Sequence, residues 1–453
     1  DVEEMTRLSA LLGPVEKAKA LYRQAGVAFS SSDYKGGRDL AMEASSLART
    51  AGDTELELSA ALTAAACLQD LSRNEEFIDL IEASLSRARE EGLERQEARM
   101  LLHLGTFRAD TGSYAEARAI YEKALDAFRR LGEARGEGYV LHNLGLVLMN
   151  QGELAAAEPC FRKSLELDRR MGDRKGEAHS LVGLGLLGQM RGNLSEARAD
   201  YAKALEVYRE IADRLGEVSV LINLGSLASE LGDHAGATGM YAKAAAFCRS
   251  IGSKAMEATA VDNMSLSLLR SGEPCAALEQ NDRALALAEE TGDTSLTGIA
   301  LAKRGHVMLH LGRPAEAAVH YARSADLQSG LDSVPLEMEA LAGLAQAEAL
   351  SGDNSAAAAH AARVRDWFLG GGSLDGAEDP FRALEHLWSA LRATGAGGDA
   401  EVLDMARRML LERAGRIPDE RDRYGFLKAS PCRIILGGLS AGGGDEPSAG
   451  AAG

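Results

Sequence analysis

The sequence predicts an all-α fold, a right-handed α-solenoid of antiparallel helix pairs, and three observations carry the prediction. The first is a period. Glycines recur every 40 residues at Gly112, Gly152, Gly192, Gly232, Gly272, Gly312 and Gly352, and alanines follow five residues later at Ala117, Ala157, Ala197, Ala237, Ala277, Ala317 and Ala357. Self-similarity at a fixed spacing of about 20–50 residues marks an architecture of stacked repeats. The second is composition: alanine, leucine, glutamate and arginine dominate, with only 9 prolines and 5% aromatics in 453 residues, which suits helices. The third is that 46% of residues are hydrophobic, enough for a large core, yet no run reaches the roughly 18 apolar residues of a membrane span.

The repeat assigns each element in turn. Residues 1–13 match the end of a second helix one period back, so they are expected to close a cut, preceding helix, with either more of the array or an upstream domain of the same polypeptide before it. Residues 14–368 hold nine units, centred on positions 25, 65, 105, 145, 185, 225, 265, 305 and 345. In the fourth unit helix A is expected over roughly Glu137–Asn150, closed by Gly152 in the left-handed conformation that helix ends often need. Helix B follows over roughly Ala155–Met171, and Gly172-Asp173 make the next turn. Gly145 lies inside helix A, where glycine costs about 1 kcal/mol against alanine. That cost makes sense if helix B packs on the bare backbone, with Ala157 as the matching small residue and Phe161 filling the space one turn on. The aromatic recurs as Tyr121, Phe161, Tyr201, Tyr241 and Tyr321. One pair cannot bury its own apolar face, so neighbours must stack.

The period breaks after Trp367. Residues 369–379, with Gly370-Gly371-Gly372-Ser373, read as a flexible glycine-rich linker. Residues 380–436 read as a degenerate tenth helix pair and C-terminal cap, with helices over 380–394 and 399–414. The first carries Phe381, Leu384, Leu387, Trp388 and Leu391 at helical spacing. Both tryptophans, Trp367 and Trp388, read as core because of their apolar area. Residues 437–453, mostly glycine, serine and alanine, read as a disordered tail.

Composition and motifs exclude several functions. A net charge of −18 repels phosphate backbones, so nucleic acid is not expected as a partner, nor is a membrane. The five cysteines are scattered with no CxxC, which fits a reducing, cytoplasmic setting rather than a zinc or redox site. Gly183-Leu184-Gly185-Leu186-Leu187-Gly188 matches GxGxxG but sits inside a helix A, not between a strand and a helix. Gly438-Leu439-Ser440-Ala441-Gly442 matches GxSxG in a glycine-rich tail with no histidine after it. His306 and His310 are four apart on one helix, but no HExxH accompanies them. The sequons at Asn193 and Asn263 have no secretory context. An enzyme, a cofactor and a metal are therefore not expected.

The order Leu144-Gly145, Ala157, Phe161, Ser164 resembles the tetratricopeptide signature of leucine-glycine, alanine, aromatic, alanine, although that family's usual unit is about 34 residues. The 40-residue unit, with turns such as Gly132-Glu133, resembles the Leu-Gly-Asn/Pins adaptors and the kinesin light chains over residues 14–368. The last segment, with Asp419-Glu420-Arg421, Phe426-Leu427 and Arg433-Ile434-Ile435-Leu436, resembles the ends of repeat arrays in large bacterial signalling proteins. The resemblance implies a protein or peptide partner held along the concave wall that helix A lines. Its stripe here comprises Arg99, His103, Thr106 and Asp110; Tyr139, His142, Asn143 and Asn150; His179 and Gln189; Ser219, Asn223, Ser226 and Glu230; Asp262, Asn263 and Arg270; and Lys303, His306 and His310. Asparagine recurs at 143, 223 and 263; it both donates and accepts, so it can hold a peptide backbone. The expected function is a non-enzymatic interaction scaffold, with a sensor or autoinhibitory arm of a larger bacterial regulator as the alternative. A hydrolase or metalloenzyme lacks positive support.

Overall fold

The computed structural model describes residues 13–437 apart from 32, 72, 332, 375, 418 and 429. The expected preceding helix over 1–12 and the Gly438–Gly442 string lie outside the described residues, as does the expected tail beyond Gly437. Among the described residues all regular structure is helical. The chain divides into two compact units, Asp1–Gly183 and Leu184–Gly453.

The first unit holds α1 (Pro14–Ser30), α2 (Tyr34–Ala51), α3 (Thr54–Asp70), α4 (Asn74–Glu90), α5 (Glu94–Asp110), α6 (Tyr114–Leu131), α7 (Ala134–Asn150) and α8 (Leu154–Met171). The division falls within α9 (Arg174–Met190). The second unit continues with α10 (Leu194–Glu210), α11 (Arg214–Glu230), α12 (His234–Ser250), α13 (Lys254–Arg270), α14 (Pro274–Thr291), α15 (Thr294–His310), α16 (Pro314–Ser329), α17 (Val334–Ser351) and α18 (Asn354–Leu369). Odd-numbered helices up to α17 are helix A of a repeat; even-numbered ones up to α18 are helix B. Each unit is an α-solenoid of antiparallel pairs.

The packing that sets the repeat is an aromatic ring held on a helix-A glycine, and in two repeats the ring is held between two glycines. Phe161 of α8 is fully buried against two A helices at once. A Cβ on Gly145 of α7 would stand 2.8 Å from the ring, and one on Gly183 of α9 would stand 2.5 Å from it. Tyr321 of α16 sits likewise between Gly305 of α15 and Gly343 of α17. Burying such a ring contributes roughly 2–3 kcal/mol, which exceeds the roughly 1 kcal/mol that each helical glycine costs. The alanine one turn earlier, Ala157 or Ala317, is also fully buried.

The turns between helices follow from two residue types. Glycines such as Gly112, Gly132, Gly152 and Gly172 take φ between 66° and 78°, so the chain reverses without strain. Aspartates such as Asp53, Asp213, Asp293 and Asp353 cap the next helix by accepting the N–H three residues on. An ion pair spans the turn from helix B to the next helix A. It repeats as Arg49–Glu57, Arg89–Glu97, Arg129–Glu137 and Arg169–Glu177 in the first unit, and as Arg209–Glu217 and Arg249–Glu257 in the second, at 2.7–3.2 Å. The arginines are exposed, so each pair is worth at most about 1 kcal/mol and trims the turn angle rather than driving the fold.

The C-terminal part departs from the expected tenth pair. Helices α19 (Pro380–Thr394), α20 (Asp399–Gly415), α21 (Glu420–Lys428) and α22 (Ser430–Gly437) form, the last taking in Gly437, which the sequence assigned to the tail. Helix α19 packs on α17, an A helix, and also on α18. The chain then runs back over the repeats. Asp379 pairs with Arg270 at the end of α13, Arg413 with Glu230 at the end of α11, and Arg416 donates to the carbonyl of Arg191. The 369–379 stretch is anchored at its far end, where the amides of Glu378 and Asp379 donate to the Glu339 carboxylate at 2.8 and 3.0 Å. This fold-back covers a face that an outward cap would leave open.

Among the described residues Ala212 is the one non-glycine with positive φ, at 55°, in the register that glycine holds at 132, 172 and 252. The left-handed conformation costs a Cβ-bearing residue roughly 1–2 kcal/mol, and glycine gives back about 0.4–1 kcal/mol in unfolded-chain entropy. Ala212→Gly should therefore stabilise the fold by a net of about 0.5–1 kcal/mol and raise the melting temperature; a fall would show that the strain is absent.

Candidate partner-binding face

In the first unit the A-helix face is polar and half-open. Tyr139 is 39% exposed, and Asn150 and Asp110 are exposed at the helix ends. Asn143 donates to Thr106 Oγ1 at 3.4 Å, and the same oxygen accepts from the Tyr121 hydroxyl at 3.1 Å. This ties the stripe residues of α5 and α7 to the ring beneath them. Gln69 donates to Asp110 at 2.7 Å, linking α3 to α5 in the same way. His142 lies edge-on to Phe161, and its ring is 6.0 Å from that of His179. Burial and then the neighbouring His179 lower the His142 pKa to about 4; burial and then Arg99 do the same for His103. Both imidazoles are neutral near pH 7, so they offer hydrogen bonds rather than charge. The structure thus brings Arg99, His103, Tyr139, His142, Asn143 and His179 onto one face, with Asn150 at its rim.

The second unit's face differs. Gln189 donates to Glu230 at 3.1 Å, and Glu230 pairs with Arg413 of α20. Asn223 and Ser226 are half-buried. Asp262, Lys303 and His306 are 2%, 2% and 4% exposed, so the open stripe expected there is not open. Lys303 Nζ lies 2.5 Å from Asp262, 3.1 Å from Asn263 Oδ1 and 2.9 Å from Glu378. Arg270 Nη2 lies 2.6 Å from Asp379, which Arg382 also meets at 3.2 Å. His306 Nδ1 shares a hydrogen bond of 2.6 Å with the Tyr321 hydroxyl, and its ring is 5.4 Å from that of His386 in α19. The physical reason is the fold-back: Glu378, Asp379, Arg382 and His386 lie at these side chains.

Buried charges here are matched in sign. Burial opposes the charge on Lys303, yet Asp262 and Glu378 outweigh it and raise its pKa. Burial opposes ionisation of Asp379, but Arg270 and Arg382 hold it well below the usual carboxylate range. Burial, and then Glu378 and Asp379, push Glu339 up to about 8. Glu339, Glu378, Asp379, Arg382 and Arg413 escape a reading of the sequence alone. Asp379 and Arg270 are 109 positions apart, and no period links them. The one local signal is Asp379-Pro380, an aspartate cap with proline in the first turn, which marks a helix start but not its address. No group of three or more His, Cys, Asp or Glu able to hold a metal occurs among the described residues, and none of their helices is long and apolar enough to cross a membrane.

A tetratricopeptide repeat family model matches residues 96–170, 136–210 and 177–250. Residues 96–250 thus match tetratricopeptide repeats. The tetratricopeptide array is similar to aspartyl phosphate phosphatase F from Bacillus subtilis, with 15% identity, a TM-score of 0.53, and coverage of 80% of this chain and 96% of that one. It is similar also to the apo form of RapI, with 15% identity, a TM-score of 0.50, and coverage of 61% and 99%. A signal transduction ATPase with a tetratricopeptide repeat sensor from Pyrococcus horikoshii matches at 17% identity and a TM-score of 0.46, over 82% of this chain and 54% of that one. At these identities the likeness extends to the fold. No curated protein shows significant sequence similarity to the chain.

Two outcomes follow from the two faces. A histidine held neutral by burial stabilises the fold fully above its unfolded pKa of about 6.5 and loses that contribution as pH falls toward its folded value. The first unit should lose stability between about pH 6.5 and 4, and His142→Gln should flatten the fall of melting temperature; an unchanged slope would show that His142 is not held neutral. In the second unit a Cβ on Gly425 of α21 would stand 2.1 Å from the Leu231 carbonyl oxygen. Gly425→Ala should speed hydrogen exchange in α21 and α22 by roughly tenfold or more, as expected of an element released from its packing, while α1–α8 keep their protection.

Proposed function

We propose that the chain is a non-enzymatic scaffold whose first-unit A-helix face holds a peptide or helix of a partner protein. Tetratricopeptide arrays are suited to protein–protein interaction, and the finer reading rests on one observation. In the second unit the same kind of face already holds a polypeptide segment, residues 378–437 of the chain itself, through side chains of the A helices. The first unit carries a similar polar stripe, in which Arg99, Tyr139, Asn143 and Asn150 are not covered by any described segment of that unit. Binding would come from many modest contacts on a preorganised surface. The seated segment also favours a second reading, in which this chain is the sensor or autoinhibitory arm of a larger bacterial regulator, in the cytoplasm, and its own C-terminal part keeps the second face from a partner.

The test is site-specific cross-linking in the native cell. A photoreactive residue at Tyr139 should trap a protein that one at Lys123, on helix B, does not. Tyr139→Ala with Asn143→Ala should weaken that partner by roughly tenfold or more with little change in melting temperature. Equal trapping from Lys123, or undiminished affinity in the double variant, would exclude the face as the site.

A further inference from the structure

A cavity of about 470 Å³ lies in the second unit where the fold-back crosses the ends of α11, α13 and α15. That is the size of a site for a small molecule, typically about 300–1,000 Å³. Its walls come from both sides of the crossing. The repeats supply His234, Arg270 and His310; the C-terminal segment supplies Arg382, Lys428 and Arg433. No aspartate or glutamate lines it.

The charge is out of keeping with the rest of the chain, whose net charge is −18. Four formal cations face the cavity, and the carboxylate beside them, Asp379, is shared between Arg270 and Arg382. That leaves a formal excess of three, four cations less one carboxylate. Lys428 Nζ rests 4.5 Å over the Tyr424 ring. Arg433 is exposed, and neither it nor Lys428 has a carboxylate within salt-bridge distance among the described residues. Two buried polar atoms at the site lack a hydrogen-bond partner: Arg270 Nε and His234 Nδ1. Asp233, next to His234, is turned away to cap α12 through the Gly236 N–H. A buried guanidinium N–H without an acceptor costs about 1–3 kcal/mol, so the site lacks an acceptor group. Gly232 and Gly425 bring the two backbones into direct contact at the rim, where a Cβ on Gly232 would meet the Gly425 oxygen at 3.0 Å.

We propose that this cavity binds a small phosphoryl-bearing anion, which bridges the repeats to the C-terminal segment and holds that segment in place. The planar forks of Arg270, Arg382 and Arg433 suit the oxygens of a phosphoryl group, and His234 and His310 add hydrogen-bonding edges. Because the walls belong to two parts of the chain, the site is whole only when the segment is docked. A ligand with that property stabilises the docked state by mass action and slows its release.

The probe is pyrophosphate, added to the full chain and compared with chloride at matched ionic strength. Pyrophosphate should bind saturably, raise the melting temperature and slow hydrogen exchange in α21 and α22. Lys428→Gln with Arg433→Gln should weaken binding by roughly tenfold or more without lowering the melting temperature of the ligand-free protein. Both side chains are exposed, so the folded state should tolerate the change; circular dichroism checks it. Lys123→Gln with Arg130→Gln, on α6 of the first unit, should leave pyrophosphate binding unchanged. Three results would each overturn the proposal: chloride reproducing the pyrophosphate effect, wild-type affinity in the Lys428/Arg433 variant, or binding without protection of α21 and α22.

Discussion

The repeat depends on one contact, an aromatic ring of helix B laid on the bare backbone of a helix-A glycine, as Tyr121 on Gly105, Tyr201 on Gly185 and Tyr241 on Gly225, and in two repeats the ring is wedged between two such glycines. Phe161 between Gly145 and Gly183, and Tyr321 between Gly305 and Gly343, each join a repeat to the next through a single side chain. The ring sets how closely the A helices approach. It therefore sets the spacing of the polar side chains that those helices carry on their other face. Thr106 shows the link: its hydroxyl accepts from Tyr121 on the core side and from Asn143 on the open side. The packed core and the polar face share one hydrogen-bonded chain.

The second unit shows what such a face does with charge. Lys303 with Asp262 and Glu378, and Arg270 and Arg382 with Asp379, bring opposite charges together largely out of water. Desolvation offsets much of the Coulombic gain in such groups, so their contribution to stability is small. Mismatching them is expensive, since a lone buried charge costs several kcal/mol. The groups thus specify where residues 378–382 sit rather than how tightly. Apolar side chains of the same segment, such as Phe381, Leu384, Leu387 and Leu391, are buried beside them and supply most of its apolar burial.

Much of the fold was legible because the period repeats each signature position five to seven times. Gly145, Ala157 and Phe161 could be read from their cognates, and the helix over 380–394 from Leu384, Leu387 and Leu391 at helical spacing. The Arg–Glu pair eight residues apart was equally periodic, at Arg49, Arg89, Arg129, Arg169, Arg209 and Arg249, but charges on helix surfaces carry no label of their partner. The face was legible as a position and not as a state. Asp262, Arg270, Lys303 and His306 look like an open polar stripe because nothing local tells a solvated polar residue from one covered by a distant segment. Only the pairing of Arg270 with Asp379 does so, and it is a long-range contact between a periodic and an aperiodic part of the chain.

The fold-back also changes what the array can tolerate over evolutionary time. In a plain solenoid each repeat touches only its neighbours, so whole units can be gained or lost. Here the C-terminal segment is fastened to Glu230, Arg270 and Lys303 on three successive A helices. Duplicating or deleting a 40-residue unit between α13 and α17 would bring each anchor opposite the wrong helix. The segment works as a ruler laid along the repeats, and it sets the copy number of this part of the chain.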